Sequence, residues 1–256
     1  MTDVDVHELA ARLSKAVAEL TAIEPLTDEF AELDLETGYA VQRVLREQDG
    51  ATAGWKLGVT SRAKQAQVGV SAPVCGFLPA SAALDLGEPL SVSALIQPRA
   101  EPEIVFVLGR DLSGAHCTAV DVLSATAGLA VGIEVLDSRF RDYRFTMADV
   151  VADNTSAARY VVGTPVPPAG IDVRLVGVVL EKNGEVVATA SGAASLGHPA
   201  AAVAWLVRRL AASGEGLRAG EVVLSGGLTA ATPLVAGDVV TVSIDRLGTV
   251  EMAVSN

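Results

Sequence analysis

Two glutamates, Glu101 and Glu103, stand two residues apart at the start of an apolar run that continues to Leu108. Residues two apart in an extended strand point to the same face, so both carboxylates are predicted to lie on the side of Val105. A third acidic residue, Glu134, interrupts another run of strand-forming residues. Carboxylates placed among residues that favour burial repel one another unless a cation lies between them.

A hard divalent cation would account for all three carboxylates at once. Carboxylate oxygens, with water or substrate completing an octahedron, are the ligands that Mg²⁺ and Mn²⁺ prefer. The three histidines are scattered along the chain and form no zinc-type spacing. The alternative is that Glu101 and Glu103 pair with Arg99 or another cation at a strand end, and the pattern alone does not decide between the two.

Lys56 is a second unusual residue, because it is embedded among apolar residues and glycines in the segment Gly54–Ser61. A buried ammonium is costly unless it meets an anion. Such a lysine could bind a substrate carboxylate or act as an acid–base group. It could equally extend from a strand edge into solvent.

Two further segments are polar where a core would be apolar. Asp149–Ser156 supplies short hydrogen-bonding side chains, including Asn154 and Ser156. Ser225–Ala231 follows an apolar run and contains Gly227 and Thr229. Glycines allow backbone N–H groups to approach an anion closely. Both segments are also compatible with ordinary turns.

The elements that must position these residues fall into two parts. Residues 1–52 are predicted to be a small helical region, with Leu9, Leu13, Val17 and Leu20 at helical spacing and a second helix over residues 35–48. Residues 53–256 are predicted to form the catalytic domain, in which strands outnumber helices and do not alternate with them. This order favours an α+β fold with a mixed or antiparallel core over a doubly wound parallel sheet.

Composition narrows the classes of partner. The chain has 256 residues, half of them hydrophobic, and a formal net charge of −12. An acidic surface argues against nucleic acid or a membrane as the main partner. With no secretory signal or membrane-spanning run visible, we expect a cytoplasmic protein. Cys75 and Cys117 show no metal or redox spacing and are expected to be buried thiols.

Several segments together resemble a known family, and they occur in the same order over nearly the whole chain. They are Gly54–Ser61, Pro98–Leu108, Ile133–Arg139, Asp149–Ser156, Gly192–Leu206 and Glu221–Thr229. They resemble the 2-keto-4-pentenoate hydratase/4-oxalocrotonate decarboxylase family of the fumarylacetoacetate hydrolase-like superfamily. The resemblance implies a mixed β-roll or barrel core of the fumarylacetoacetate hydrolase C-terminal type with a small N-terminal helical region.

The resemblance also implies a site. The metal ligands of the family, which hold Mg²⁺ or Mn²⁺, fall on Glu101, Glu103 and Glu134, and its catalytic lysine falls on Lys56. Asn154, Ser156, Thr229, Gly227 and Arg62 are the candidate substrate-binding residues. The substrate would be a small anionic 2-oxo acid, and a homo-oligomer, in some members complexed with a sister enzyme, is the expected assembly.

Members of the family carry out two reactions of aromatic meta-cleavage catabolism. Decarboxylases remove CO₂ from 2-oxo-3-hexenedioate through a metal-stabilised enolate, and hydratases add water to 2-hydroxypenta-2,4-dienoate. The segments Ser61–Gln67, Ser138–Phe145 and Gly226–Ala231 resemble the decarboxylase pattern. Hydratases typically carry an acid where this chain has Val74. Decarboxylation is therefore the leading hypothesis. The alternatives are hydration, hydrolysis of an acylpyruvate, and an inactive scaffold with the same fold.

Overall fold

The computed structural model describes residues 5–61, 65 and 72–256. Its α-helices are α1 (Val6–Ala18), α2 (Leu35–Asp49), α3 (Ala119–Ala125), α4 (Met147–Ala152) and α5 (Pro199–Ala211). Its strands are β1 (Thr52–Gly58), β2 (Val74–Pro79), β3 (Ala83–Leu84), β4 (Leu90–Ser91), β5 (Arg99–Leu108), β6 (Thr126–Leu136), β7 (Ala157–Val162), β8 (Gly177–Lys182), β9 (Glu185–Ser191), β10 (Val222–Leu224), β11 (Thr232–Pro233), β12 (Val239–Ile244) and β13 (Gly248–Ser255).

The described strands form two sheets. The larger has the order β2-β1-β10-β5-β6-β7-β3, with β11 pairing to β5, and the smaller has the order β4-β13-β12-β8-β9. The pairs β1–β10, β3–β7 and β4–β13 are parallel, and the other strand pairs are antiparallel. The α+β fold with a mixed sheet is therefore confirmed.

The two faces of the larger sheet differ in what they contact. One face of β5 and β6 presents Ile104, Phe106, Ile133 and Val135 to this core, which the smaller sheet and α5 also enter. The opposite face carries Glu101, Glu103 and Glu134 at the alternate positions. The period of two thus directs alternate residues of β5 and β6 into the main core and places the three glutamates on the opposite face, where Val105 and Ala130 pack in a smaller hydrophobic cluster.

Local signals explain where several elements begin and turn. Thr118 and Asp121 form a reciprocal capping box at the start of α3. Pro199 occupies the first turn of α5, where its missing N–H costs no helical hydrogen bond. Asn183 and Gly184 both have positive φ (57° and 81°) between β8 and β9, as a type I′ hairpin turn requires.

The N-terminal helices pack on the side of α4. Leu9 and Leu13 of α1 and Val41 and Val44 of α2 share a second core with α4 and with Phe140. Val17 and Leu20 continue the helical spacing of apolar residues, but they are 49% and 44% exposed, so this second core does not cover them. Leu20 follows the end of α1 in a left-handed conformation (φ 48°) and therefore leaves the helical face. The domain boundary at residue 52 stays a prediction.

No helix among the described residues is long and apolar enough to cross a membrane. Cys75 and Cys117 are both buried free thiols, as expected.

Candidate active site

Strand register brings the three glutamates together. In the antiparallel pair β5–β6, Glu101 lies directly opposite Glu134, and Glu103 lies opposite Gly132. One carboxylate oxygen from each glutamate lies within 4.8 Å of the others. Glu101 is 7% exposed, whereas Glu103 and Glu134 are fully buried. The geometry thus brings the neighbouring pair Glu101 and Glu103 together with Glu134 from the next strand. Their role as metal ligands stays a prediction.

Three carboxylate oxygens of the cluster lack the hydrogen bonds that buried carboxylates normally require. Glu103 Oε1 and both Glu134 carboxylate oxygens accept no hydrogen bond of regular geometry among the described residues. Burial raises the pKa of Glu103 well above its usual value, and the neighbouring Glu134 raises it further. Burial also raises the pKa of Glu134, against the opposing charge of Lys56. Without a further cation, this cluster is electrostatically strained.

A glycine loop after β10 covers the carboxylates. The Gly226 N–H donates to Glu103 Oε2 at 2.6 Å, and Gly226 has a φ of +106°, which L-residues rarely adopt. A Cβ on Gly227 would lie 1.9 Å from Glu101 Oε2. Glycine at position 227 is therefore required for the close approach of the loop to Glu101. Substrate binding by Gly227 stays a prediction.

Lys56 reaches the cluster from β1 and is 2% exposed. Its Nζ lies 3.0 Å from Glu134 Oε1 and donates to the Thr155 carbonyl at 3.2 Å. Burial alone would lower the pKa of Lys56, but the charges of Glu134, Glu103 and Glu101 outweigh burial and raise the pKa. The lysine is thus a buried ammonium facing the carboxylates and not a solvated side chain at a strand edge.

A strained turn holds the carbonyl that binds Lys56. Asn154, Thr155 and Ser156 are all left-handed, with φ of 47°, 52° and 59°. The Asn154 amide accepts from the Phe77 N–H and donates to the Phe77 carbonyl, both at 2.9 Å, and so ties the turn to β2. The buried ion pair between Arg139 and Asp153 anchors the start of the turn.

Val74 of β2 borders the space beside Lys56. It lies opposite Gly58 in the β1–β2 pair. A Cβ built on Gly58 would lie 3.1 Å from Val74 Cγ2 and 3.9 Å from Lys56 Nζ. Position 74 therefore places an apolar side chain, 3% exposed, where an acid would face the lysine.

The remaining predicted residues differ in what their side chains contact. Ser156 Oγ donates to Asp153 at 3.4 Å, and Thr229 Oγ1 donates to the Ala230 carbonyl at 3.1 Å. Asn154 binds the backbone of Phe77. Arg62 lies outside the described residues. Substrate contact by these residues stays a prediction.

The donor set fits a hard divalent cation. The three carboxylates supply oxygen ligands within a few ångströms of one another, and the unsatisfied oxygens of Glu103 and Glu134 are the groups that a cation would satisfy. All three are buried, so an ion held between them would be shielded from bulk water on the protein side. These residues therefore fit Mg²⁺ or Mn²⁺ better than a soft or nitrogen-preferring metal.

Sequence reasoning missed three supporting features. They are the Thr155 carbonyl as the partner of Lys56, the Arg139–Asp153 pair, and Gly132 opposite Glu103. A Cβ on Gly132 would lie 2.5 Å from Val105 Cγ2, so this position requires glycine. A glycine within an apolar strand was the one sequence signal that could have indicated this close packing beside Glu103. Neither the left-handed turn nor the ion pair has a local sequence signature.

Comparison with known proteins finds relatives that match nearly the whole chain. Residues 37–255 match the family described as fumarylacetoacetate (FAA) hydrolase C-terminal. The chain is 39% identical to a 4-oxalocrotonate decarboxylase of Pseudomonas sp. (strain CF600), with 96% of each chain covered. It is 42% identical to a 2-keto-4-pentenoate hydratase of Burkholderia vietnamiensis, with 97% of each covered.

A solved structure agrees with the sequence relatives. The 4-oxalocrotonate decarboxylase of Pseudomonas putida G7, complexed with magnesium and adipate, superposes with a TM-score of 0.93 at 39% identity, and 97% of each chain is covered.

Proposed function

Because the chain belongs to the fumarylacetoacetate hydrolase family, in the group of 4-oxalocrotonate decarboxylases and 2-keto-4-pentenoate hydratases, we propose that it decarboxylates 2-oxo-3-hexenedioate to 2-hydroxypenta-2,4-dienoate. The relatives of both names are lyases, and this chain is a lyase that uses a divalent metal. The observation that carries the proposal is the buried cluster of Glu101, Glu103 and Glu134 with Lys56 against it.

Glu101, Glu103 and Glu134 would hold the ion, Mg²⁺ or Mn²⁺. When bound, the ion supplies Lewis-acid stabilisation of the negative charge that develops on the 2-oxo acid. The three carboxylates outweigh the charge of a divalent ion, and the Lys56 ammonium would bring the site close to neutral. The Gly226 N–H fixes the orientation of Glu103 through its hydrogen bond at 2.6 Å.

Lys56 is the residue placed to manage charge and protons. As the bond to the far carboxyl carbon breaks, CO₂ leaves and the electron pair moves along the conjugated chain to the C2 oxygen. The Lys56 ammonium would neutralise that oxygen and transfer a proton to it, giving the dienol product. Glu134 and the Thr155 carbonyl hold Nζ in place, so the ammonium is oriented before substrate binds.

Val74 supports decarboxylation over hydration. Adding water to a diene requires a group that positions and activates the water, and an acid beside Lys56 would serve. Val74 is buried and offers no polar atom that could position or activate water there. It also leaves out a charge that would repel the second carboxylate of a dianionic substrate.

The other predicted residues complete the site in this proposal. Asn154 shapes the turn through Phe77, Gly227 permits the loop to approach Glu101, and Ser156, Thr229 and Arg62 contribute to orienting the substrate. We further propose a cytoplasmic homo-oligomer in aromatic meta-cleavage catabolism, free or complexed with a sister enzyme. The intact cluster and Lys56 argue against an inactive scaffold.

A comparison of two substrates tests the proposal. The purified protein with Mg²⁺ should give a higher kcat/KM for CO₂ release from 2-oxo-3-hexenedioate than for consumption of 2-hydroxypenta-2,4-dienoate. The reverse preference would establish the hydratase alternative, and release of pyruvate from an acylpyruvate without CO₂ would establish a hydrolase.

A further inference from the structure

Arg99 lies on the face of β5 that carries the carboxylate cluster. It precedes Glu101 by two residues in the strand and pairs with Leu136 of β6 and with Pro233 of β11. Since alternate residues of a strand share a face, Arg99 extends the row formed by Glu101 and Glu103 towards the end of the strand. The side chain is only partly buried, so this end of the row borders solvent.

The ring of Tyr143 holds the guanidinium group of Arg99. The Arg99 Cζ lies 3.9 Å from the ring centroid, within the range of a favourable cation–π contact. The Tyr143 hydroxyl lies 3.1 Å from the Leu136 carbonyl and 3.2 Å from the Gln97 carbonyl. The ring is therefore fixed to the ends of the two strands that carry the glutamates, and it fixes Arg99 in turn.

The hydrogen-bond donors of Arg99 have no partner in the part of the chain that the structure describes. No hydrogen bond or ion pair joins its guanidinium to another described residue, so the pairing of Arg99 with Glu101 and Glu103 considered from the sequence is absent there. Arg139 and Arg144 differ, because each pairs with a carboxylate. Stacking occupies the flat face of a guanidinium and leaves its N–H edge available for a carboxylate.

The separation of Arg99 from the cluster suits a substrate with two carboxylates. Two residues of strand span about 7 Å, which is comparable with the length of a six-carbon dicarboxylate. One end of such a molecule would lie at Glu101, Glu103 and Glu134, where the ion is expected. The other end would then lie near the guanidinium group.

We propose that Arg99, stacked on Tyr143, is the residue that binds the far carboxylate of a dicarboxylate substrate. The inference rests on the proposed function and adds the group that selects a dianionic substrate. Because the far carboxylate departs as CO₂, a contact with it stabilises the bound substrate more than the transition state. Loss of Arg99 should therefore raise KM and kcat together and leave kcat/KM little changed.

Ligand binding to the Mg²⁺-loaded protein tests the inference without relying on turnover. The probes are adipate and hexanoate, which have the same chain length and differ by one carboxylate. Arg99→Gln should weaken adipate binding about ten- to a hundredfold, the value of a charged hydrogen bond, and should leave hexanoate binding unchanged. The exposed Arg218→Gln is the matched control, since Arg218 is 77% exposed and distant in the fold.

Two tyrosine variants separate the stacking contact from the hydroxyl. Tyr143→Phe retains the ring and should bind adipate nearly as the wild type does, whereas Tyr143→Leu should weaken it in the same direction as Arg99→Gln. Thermal unfolding of each variant shows whether it is folded, and Arg99→Lys provides a charged variant if Arg99→Gln is not. Equal losses for adipate and hexanoate, or no loss for adipate, would overturn the inference.

The inference and the proposed function fail in different ways. CO₂ release by the wild type together with unchanged adipate affinity and KM in Arg99→Gln overturns the role of Arg99 and leaves the decarboxylase standing. If Arg99→Gln weakens adipate binding but the wild type releases no CO₂, the binding role of Arg99 is supported and the decarboxylase proposal is overturned.

Discussion

At the scale of single residues, the central feature is a cluster of three glutamates whose negative charges repel one another unless a cation binds between them. Glu103 and Glu134 are buried with unsatisfied oxygens, and Lys56 compensates only part of their charge. Buried charges of this kind destabilise a fold unless they have a functional partner. A divalent ion is the partner that satisfies all three glutamates.

Glu103→Gln tests the metal ligand. We expect Mg²⁺ affinity to fall by more than about a hundredfold, since loss of even an indirect contact to a metal costs about ten- to a hundredfold. The metal-free variant should be at least as stable as the wild type, because one buried charge is removed. Calorimetric titration with Mg²⁺ and chemical denaturation measure the two effects. Glu251→Gln, on an exposed position of β13, is the control, and unchanged affinity in Glu103→Gln would exclude this ligand.

Lys56→Met separates catalysis from metal binding. The substitution should lower kcat about 10²- to 10⁴-fold, the range for loss of a positioned proton donor. Mg²⁺ affinity should not fall, because a positive charge beside the carboxylates is removed. Steady-state kinetics and Mg²⁺ titration measure the two effects, with Lys15→Met as the exposed control. Loss of Mg²⁺ binding together with activity would instead give Lys56 a structural role.

At the scale of elements, the cluster could be predicted because a strand places alternate residues on one face. That rule put Glu101 and Glu103 together, and charge among apolar residues singled out Glu134 and Lys56. The family resemblance then assigned all four to one site. The turn at Asn154–Ser156 could not be predicted, because its three left-handed residues are stabilised by distant groups, Phe77 and the Arg139–Asp153 pair. Tertiary contacts of this kind override local preference.

Gly227→Ala tests the loop after β10. The added methyl group would lie 1.9 Å from Glu101 Oε2, so the loop or the carboxylate must move. We expect Mg²⁺ affinity to fall by at least about tenfold, an effect comparable with disturbing a group that orients a metal ligand. Gly177→Ala is the matched control, because its added Cβ meets nothing within 4 Å. Equal Mg²⁺ affinity in both variants would show that the loop does not set the position of Glu101.

At the scale of the whole molecule, the apolar pattern of the N-terminal region extends beyond the part that other elements cover. Val17 and Leu20 continue an apolar helical pattern, but α1 ends at Ala18, and both side chains remain exposed. They border a cavity of about 280 Å³ shared with Leu13, Leu45 and Arg159. Periodicity predicts which face of a helix is apolar, but not whether another element covers it.

The molecule carries a formal net charge of −12, although its proposed substrate is a dianion. On the face of the larger sheet that carries the site, an ion, Lys56 and Arg99 would together offset the negative charge of the three glutamates. A dianion could therefore bind there despite the acidic surface. Because this positive charge is confined to the site, the overall negative charge argues against nucleic acid as a partner more strongly than against a small anionic substrate.

The stoichiometry of CO₂ release is the most direct measurement of the central claim. We expect about one CO₂ for each 2-oxo-3-hexenedioate consumed by the Mg²⁺-loaded protein, with loss of activity on chelation and recovery when Mg²⁺ is returned. Consumption of substrate without CO₂, or CO₂ release unaffected by removal of the metal, would contradict the account.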